Sequence, residues 1–102
     1  MTEPRIVTPE GEIDIATVDG FRDDLAAATE DSADVVVDLS SVSFIDSVGL
    51  GAVADAGRRC RRGGGRLAVV APHGTAAAVL LELTGLNQAL DVVGSLEAVS
   101  AG

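Results

Sequence analysis

The stretch Val35-Val36-Val37-Asp38-Leu39-Ser40-Ser41-Val42-Ser43-Phe44-Ile45-Asp46-Ser47-Val48-Gly49-Leu50-Gly51 decides the fold. Its first three residues are an unbroken β-branched run, the composition of a strand buried on both faces. Leu50, Val53, Ala54 and Gly57 then follow at helical spacing. Between strand and helix lies a junction rich in serine and aspartate. Asp46 and Ser47 are both good N-cap residues and directly precede the helical pattern. Ser47 is therefore predicted at or next to a helix N-terminus, at the mouth of a sheet.

That place has chemical consequences. The first turn of a helix offers unpaired N–H groups and a partial positive charge, so it tolerates an added anion. A phosphoryl group on Ser47 would bring about −1.5 to −2 charges, which the helix can accept without melting. Asp46 pulls the other way by like-charge repulsion, yet it can also position the hydroxyl or a metal ion carried by a kinase. The alternative for Ser47 is a cap and nothing more.

Upstream, Arg5-Ile6-Val7-Thr8 is a short strand candidate, which Pro9 weakens or places at an edge. Glu12-Ile13-Asp14-Ile15 alternates, with Ile13 and Ile15 expected on one face. Thr17 or Asp19 can cap a helix running to about Thr29. Its apolar stripe is Val18, Phe21, Leu25 and Ala28, with Asp23, Asp24 and Glu30 facing solvent.

Downstream, the helix after Ser47 should end near Gly63. Arg58, Arg59, Arg61 and Arg62 in its last turns complement the helix dipole; contact with an acidic partner is the second reading. Arg66–Ala71 is the next strand, and a helix follows from Ala76 to about Leu83, with Gly85 as its C-cap. Asp91-Val92-Val93 is a short last strand, and Ser95 caps a final helix, Leu96 to Val99. The alternation of strand and helix predicts a layered α/β fold with one sheet, a single domain over residues 1–102.

Composition narrows the function. Hydrophobic residues make up 47% of the 102, which excludes a disordered chain, and Phe21 and Phe44 are the only aromatics. No apolar run approaches the ~20 residues of a membrane span, and the N-terminal stretch Met1–Arg5 has no signal-peptide core. With Cys60 the sole cysteine, neither an internal disulfide nor a cysteine-based zinc site is possible. These features fit a cytoplasmic protein. Net charge is −9, with no lysine. Residues 1–46 hold twelve acids against two arginines, and residues 47–102 hold four against five. Such an acidic half argues against nucleic acid as a partner and suits a basic or mixed protein surface; simple solubility would also explain it.

Three motifs stand in order along the chain. They are Gly11-Glu12-Ile13-Asp14, then Val37-Asp38-Leu39 with Phe44-Ile45-Asp46-Ser47-Val48-Gly49-Leu50-Gly51, then Leu83-Thr84-Gly85-Leu86. Together they resemble the signature of the STAS domain, in particular the bacterial anti-sigma factor antagonists, over roughly residues 5 to 100. The resemblance implies a single mixed β-sheet of about four to five strands packed with about four helices. The family usually has more chain before its Gly-Glu-Ile-Asp element, so the first strand is expected to be short or missing here.

The resemblance also implies a function. The unmodified domain binds an anti-sigma factor, itself a serine kinase of the histidine-kinase-like ATPase fold, and the sigma factor is released. The kinase phosphorylates the serine directly after the motif's aspartate, here Ser47, and a serine phosphatase resets the switch. By the same carry-over Asp14, Asp46, Ser47, Val48, Gly49 and Leu50 form the partner-binding set, Gly49 permitting close approach and Leu50 anchoring the helix. Where the family often has a second Ser or Thr, this chain has Val48. Ser40, Ser41 and Ser43 are the nearby alternative acceptors. The runner-up is a STAS scaffold or ligand-binding module without a switch. No cofactor or metal is expected, and a monomer or weak dimer is.

An enzyme is disfavoured by the residues themselves. A nucleophile elbow needs glycine two residues before the serine, where Ile45 stands. His73, the only histidine, sits in a Pro-His-Gly turn, and a triad would have to be built on it. One His and one Cys do not make a metal site, and the Gly63-Gly64-Gly65 turn lacks the Lys-Ser/Thr end of a phosphate loop.

Overall fold

The computed structural model describes residues 3–88 and 90–101, so Met1 and Thr2 of the N-terminal stretch lie outside it. In chain order the elements are β1 (Arg5–Val7), β2 (Gly11–Ile13), α1 (Val18–Asp31), β3 (Val35–Asp38), β4 (Val42–Ile45), α2 (Ser47–Arg62), β5 (Leu67–Val70), α3 (Ala76–Thr84), β6 (Asp91–Val93) and α4 (Leu96–Ala101). A 3-10 turn, Leu86–Gln88, links α3 to β6. This is the expected layered α/β fold with four helices.

The strands pair as a four-stranded ladder in the order β1-β3-β5-β6 and a two-stranded ladder β2-β4, every recorded pair parallel. The single mixed sheet read from the sequence is thus divided in two. The reason lies in one long side-by-side run. Arg5 lies opposite Val35, and Ile13 lies opposite Ile45, so residues 5–13 and 35–45 accompany each other throughout. The second segment carries two extra residues, absorbed at a bulge between Gly11 and Glu12 and at the Leu39–Ser41 corner. There the N–H of Gly11 donates to Ser41 O at 3.1 Å, and Gly11 takes φ 76°, a conformation that favours glycine. The first strand is therefore formed, three residues long, at the edge where Pro9 was expected to put it.

The core lies between the ladders and the helices. Val35, Val37 and Val69 bury against Phe21, Leu25 and Ala28 of α1 and Leu50, Val53 and Cys60 of α2. α1 thus buries the stripe predicted for it, and Asp23, Asp24 and Glu30 face solvent. Thr17 occupies its N-cap position without a side-chain cap bond; its hydroxyl instead donates to Glu12 O at 2.9 Å. α2 ends at Gly63, and α3 ends at Gly85, whose φ of 75° makes it the αL cap.

Two further differences concern the site. Val42–Ile45, read as part of a junction, is a strand. The alternation at 12–15 also stops one residue early. Ile13 is buried, but Asp14 turns the chain, and Ile15 is 79% exposed.

Candidate functional site

The parallel β2-β4 ladder brings two loops to one edge. Asp46 N–H donates to Ile13 O at 3.3 Å, so Asp14–Thr17 and Asp46–Val48 leave the ladder side by side. Asp14 is half-buried, and its Oδ1 accepts from the N–H groups of Ala16 (2.9 Å) and Thr17 (3.1 Å). This turn starts α1, and it sets Asp14 and Ile15 beside the start of α2.

Asp46, not Ser47, caps α2. One carboxylate oxygen, Oδ1, accepts from Val48 N–H at 3.0 Å and Gly49 N–H at 3.2 Å. Asp46 has the extended backbone of an N-cap, and Ser47 is the first helical residue. The cap was open between the two in the sequence, because both residue types cap well. With Asp46 holding the cap, Ser47 is exposed.

The remaining residues of the expected binding set divide by burial. Val48 is half-buried. Gly49 and Leu50 face inward, and Leu50 has no exposed surface at all. An added Cβ on Gly49 would lie 2.8 Å from Ile13 Cγ2 and 2.8 Å from Ile45 Cγ1. The close approach Gly49 allows is therefore that of α2 to the β2-β4 ladder, and Leu50 anchors the helix to the core. Both hold Ser47 in place from behind, and neither offers a contact to a partner.

Ser40, Ser41 and Ser43 are also exposed, so exposure does not single out Ser47. Position does. Ser40 precedes β4 and bonds Asp38 through its hydroxyl, Ser43 lies within β4, and Ser47 alone begins a helix. His73 is exposed in the turn before α3, and Cys60 is on the buried face of α2. Burial pushes the Cys60 thiol up from its ordinary value, the charge of Asp34 adds to this, and Arg59 and Arg61 pull the other way.

Two features escaped the sequence reading. Ile15 and Phe44 are exposed apolar side chains near the acceptor, Phe44 at 48%. Phe44 pairs in register with Glu12, so an acid and an aromatic share the outer face of the small ladder. Register with β2 was the missing signal, and it becomes visible only once β4 is recognised as a strand.

With this geometry in place, comparison with known proteins is informative. The STAS domain family model matches residues 2–99. The chain belongs to the STAS domain family. An anti-sigma factor antagonist from Mycobacterium paratuberculosis is 34% identical, with a TM-score of 0.83 over 94% of this chain and 82% of that one. The anti-sigma factor antagonist SpoIIAA in its unphosphorylated form is 21% identical, with a TM-score of 0.68 over 99% and 90% of the two chains. The phosphorylated form of the Bacillus cell fate determinant SpoIIAA gives 24%, 0.66, 99% and 94%. At those identities the two SpoIIAA structures speak for the fold of this STAS domain. No curated protein matches the chain. Among the described residues, no helix is long and apolar enough to cross a membrane.

Proposed function

We propose that this STAS domain is an anti-sigma factor antagonist switched by phosphorylation of Ser47. Unmodified, it binds an anti-sigma factor that is also a serine kinase, and the sigma factor is freed. The kinase then phosphorylates Ser47, the complex separates, and a serine phosphatase restores the binding form. The chain acts in the cytoplasm as a binding protein, not as a catalyst.

The observation that carries this reading is the exposed Ser47 at the first position of α2, with Asp46 already holding the cap. A phosphoryl group there changes the surface while the helix keeps its own N-terminal partner. The relatives add support, since SpoIIAA is known in unphosphorylated and phosphorylated forms. The energetics suffice. A dianion desolvated at an interface without a matching cation costs several kcal/mol. Each ~1.4 kcal/mol is tenfold in affinity, so the switch spans a hundredfold or more.

The test is phosphate transfer from ATP by the partner kinase, with the site located by mass spectrometry. Phosphate should appear on Ser47, and Ser47→Ala should bind the kinase yet take none. Ser47→Asp should bind at least tenfold more weakly. Equal binding by wild type and Ser47→Asp would leave a scaffold without a switch, and phosphate on Ser40, Ser41 or Ser43 would move the site.

A further inference from the structure

Strand β1 ends the four-stranded ladder and pairs on one side only, with β3. Arg5 N–H donates to Asp34 O at 3.0 Å, which turns Arg5, and Val7 two residues on, toward β3. By strand alternation the N–H and C=O groups of Ile6 and of Thr8, the next residue after β1, point out of the sheet edge. Among the described residues no turn, loop or cap bond uses them. Natural edges are blunted by proline or by lysine side chains. Here Pro9 comes after both outward donors, and the chain has no lysine. Arg5, the one cation on the strand, is drawn off to Asp31 at 3.4 Å.

A groove follows this edge. Between β1 and α1 lies a hollow of about 330 Å³ walled by Ile6, Thr8, Asp24 and Ala27. A second hollow, of about 270 Å³, continues it past Pro9 and Glu10 to Gly20, and Asp24 lines both. The space stays open because α1 puts little bulk there. Ala27 is exposed, and a Cβ on Gly20 would meet nothing within 4 Å. The open edge stops where the Thr17 hydroxyl takes Glu12 O at 2.9 Å.

We propose that this edge takes an extended basic segment of a partner protein as an added strand. The inference is independent of the Ser47 reading. Main-chain pairing supplies affinity in such complexes, and alternate side chains supply specificity. The run from Ile6 to Glu10 spans about 17 Å at ~3.3 Å per residue, the length of an ordinary strand. Charge decides the occupant. Glu10, Glu12 and Asp24 line the groove, and none of them is in an ion pair among the described residues. They attract lysine or arginine and repel an acidic segment. They also disfavour a second copy, because pairing two chains through β1 sets α1 beside α1 and brings both Asp24 carboxylates to one seam. Alternate side chains of the added strand meet Asp24 on the α1 side and Ile6, 55% exposed, on the other. A segment alternating basic and β-branched residues fits both.

The test is fluorescence anisotropy with a short labelled peptide alternating lysine and valine, and a glutamate–valine peptide as control. The lysine peptide should bind saturably below about 1 mM and about tenfold or more tighter than the control. At saturation, hydrogen exchange of the Ile6 and Thr8 amides, followed by NMR, should slow about tenfold or more. Thr8→Pro removes one outward donor and should weaken binding about fivefold or more. Asp24→Arg should weaken it severalfold at low salt, with the difference shrinking at high salt. Should Thr8→Pro fail to fold, amide exchange in wild type and binding by Asp24→Arg decide. Lack of saturable binding, binding that leaves Ile6 and Thr8 exchange unchanged, or equal affinity for the glutamate peptide overturns the proposal. A wild-type dimer in sedimentation that Thr8→Pro splits gives the edge to a second copy, and overturns it too.

Discussion

The backbone N–H of Asp46, the residue after β4, donates to the carbonyl oxygen of Ile13, the last residue of β2, at 3.3 Å. Through this bond, residues far apart in sequence leave the ladder as neighbours. Asp14 thus has two duties: its Oδ1 holds the turn into α1, and its charge lies beside the start of α2.

The two duties can be separated. Asn keeps a carbonyl oxygen in the place of Oδ1 and loses the charge, whereas Ala loses both. Asp14→Asn should melt close to wild type yet bind the kinase severalfold more weakly, mainly through slower association, with the difference shrinking at high salt. Asp14→Ala should lower the melting temperature as well. Surface plasmon resonance across a salt series, alongside thermal unfolding, checks both expectations.

The cap gives a second prediction, and it reverses what the residue types alone suggest. Because Asp46 takes the amides of Val48 and Gly49, Ser47→Ala should change unfolding free energy by under about 0.5 kcal/mol. Asp46→Ala should cost about 0.5–2 kcal/mol by losing the cap. Urea unfolding of the two variants decides it. A large loss in Ser47→Ala would mean that the serine shares the cap.

How much was legible depended on how local the signal was. The Val35–Val37 run, the stripe of α1, the small apolar residues of α2 and the Gly85 cap each announce themselves within a few residues, and each stands where the pattern put it. β4 was not legible. It has four residues, begins just after a Ser-Ser corner, and points Ser43 and Phe44 outward, so it reads as a junction. Its partner β2 lies about thirty residues upstream, and no local pattern carries that pairing. The same gap hid Ile15. Alternation alone keeps Ile15 on the face of Ile13, but the side chain of Asp14 captures the backbone of Ala16 and Thr17 and ends the strand first. Within the site, the position of Ser47 was legible because it rests on helix-start chemistry. The inward direction of Gly49 and Leu50 was not, because it depends on which face α2 turns to the ladders.

Cys60 gives a third prediction. Two arginines flank it on each side in sequence, a setting that by itself lowers a thiol pKa. Burial outweighs them, and the thiol is raised. With no exposed surface, Cys60 should react with a disulfide reagent at neutral pH more than about a thousandfold slower than a free thiol, only as the fold opens. The rate should climb with urea in step with unfolding. Fast reaction in the native protein would show that the C-terminal turns of α2 open on their own.

The glycines of α2 give the last prediction, because Gly49 and Gly51 sit two residues apart in opposite surroundings. Gly51 is exposed, and a Cβ there meets nothing within 4 Å. Gly51→Ala should therefore stabilise the protein by about 0.4–1 kcal/mol, since alanine loses less backbone freedom on entering a helix. Gly49→Ala gains the same propensity but pushes its Cβ to 2.8 Å from both Ile13 and Ile45, in the core rather than at a flexible tip. Overpacking of this kind costs about 1–3 kcal/mol, so the clash wins and the variant should be less stable than wild type. The difference should also reach the switch. Relief of the clash moves the start of α2 away from the β2-β4 ladder and carries Ser47 with it, so Gly49→Ala should be phosphorylated more slowly at a temperature where it is still folded. Gly51→Ala should be phosphorylated at the wild-type rate. Denaturant unfolding and phosphate incorporation, measured on the same pair, test the mechanical link from Gly49 to Ser47. Opposite stability shifts with identical phosphorylation rates would break that link.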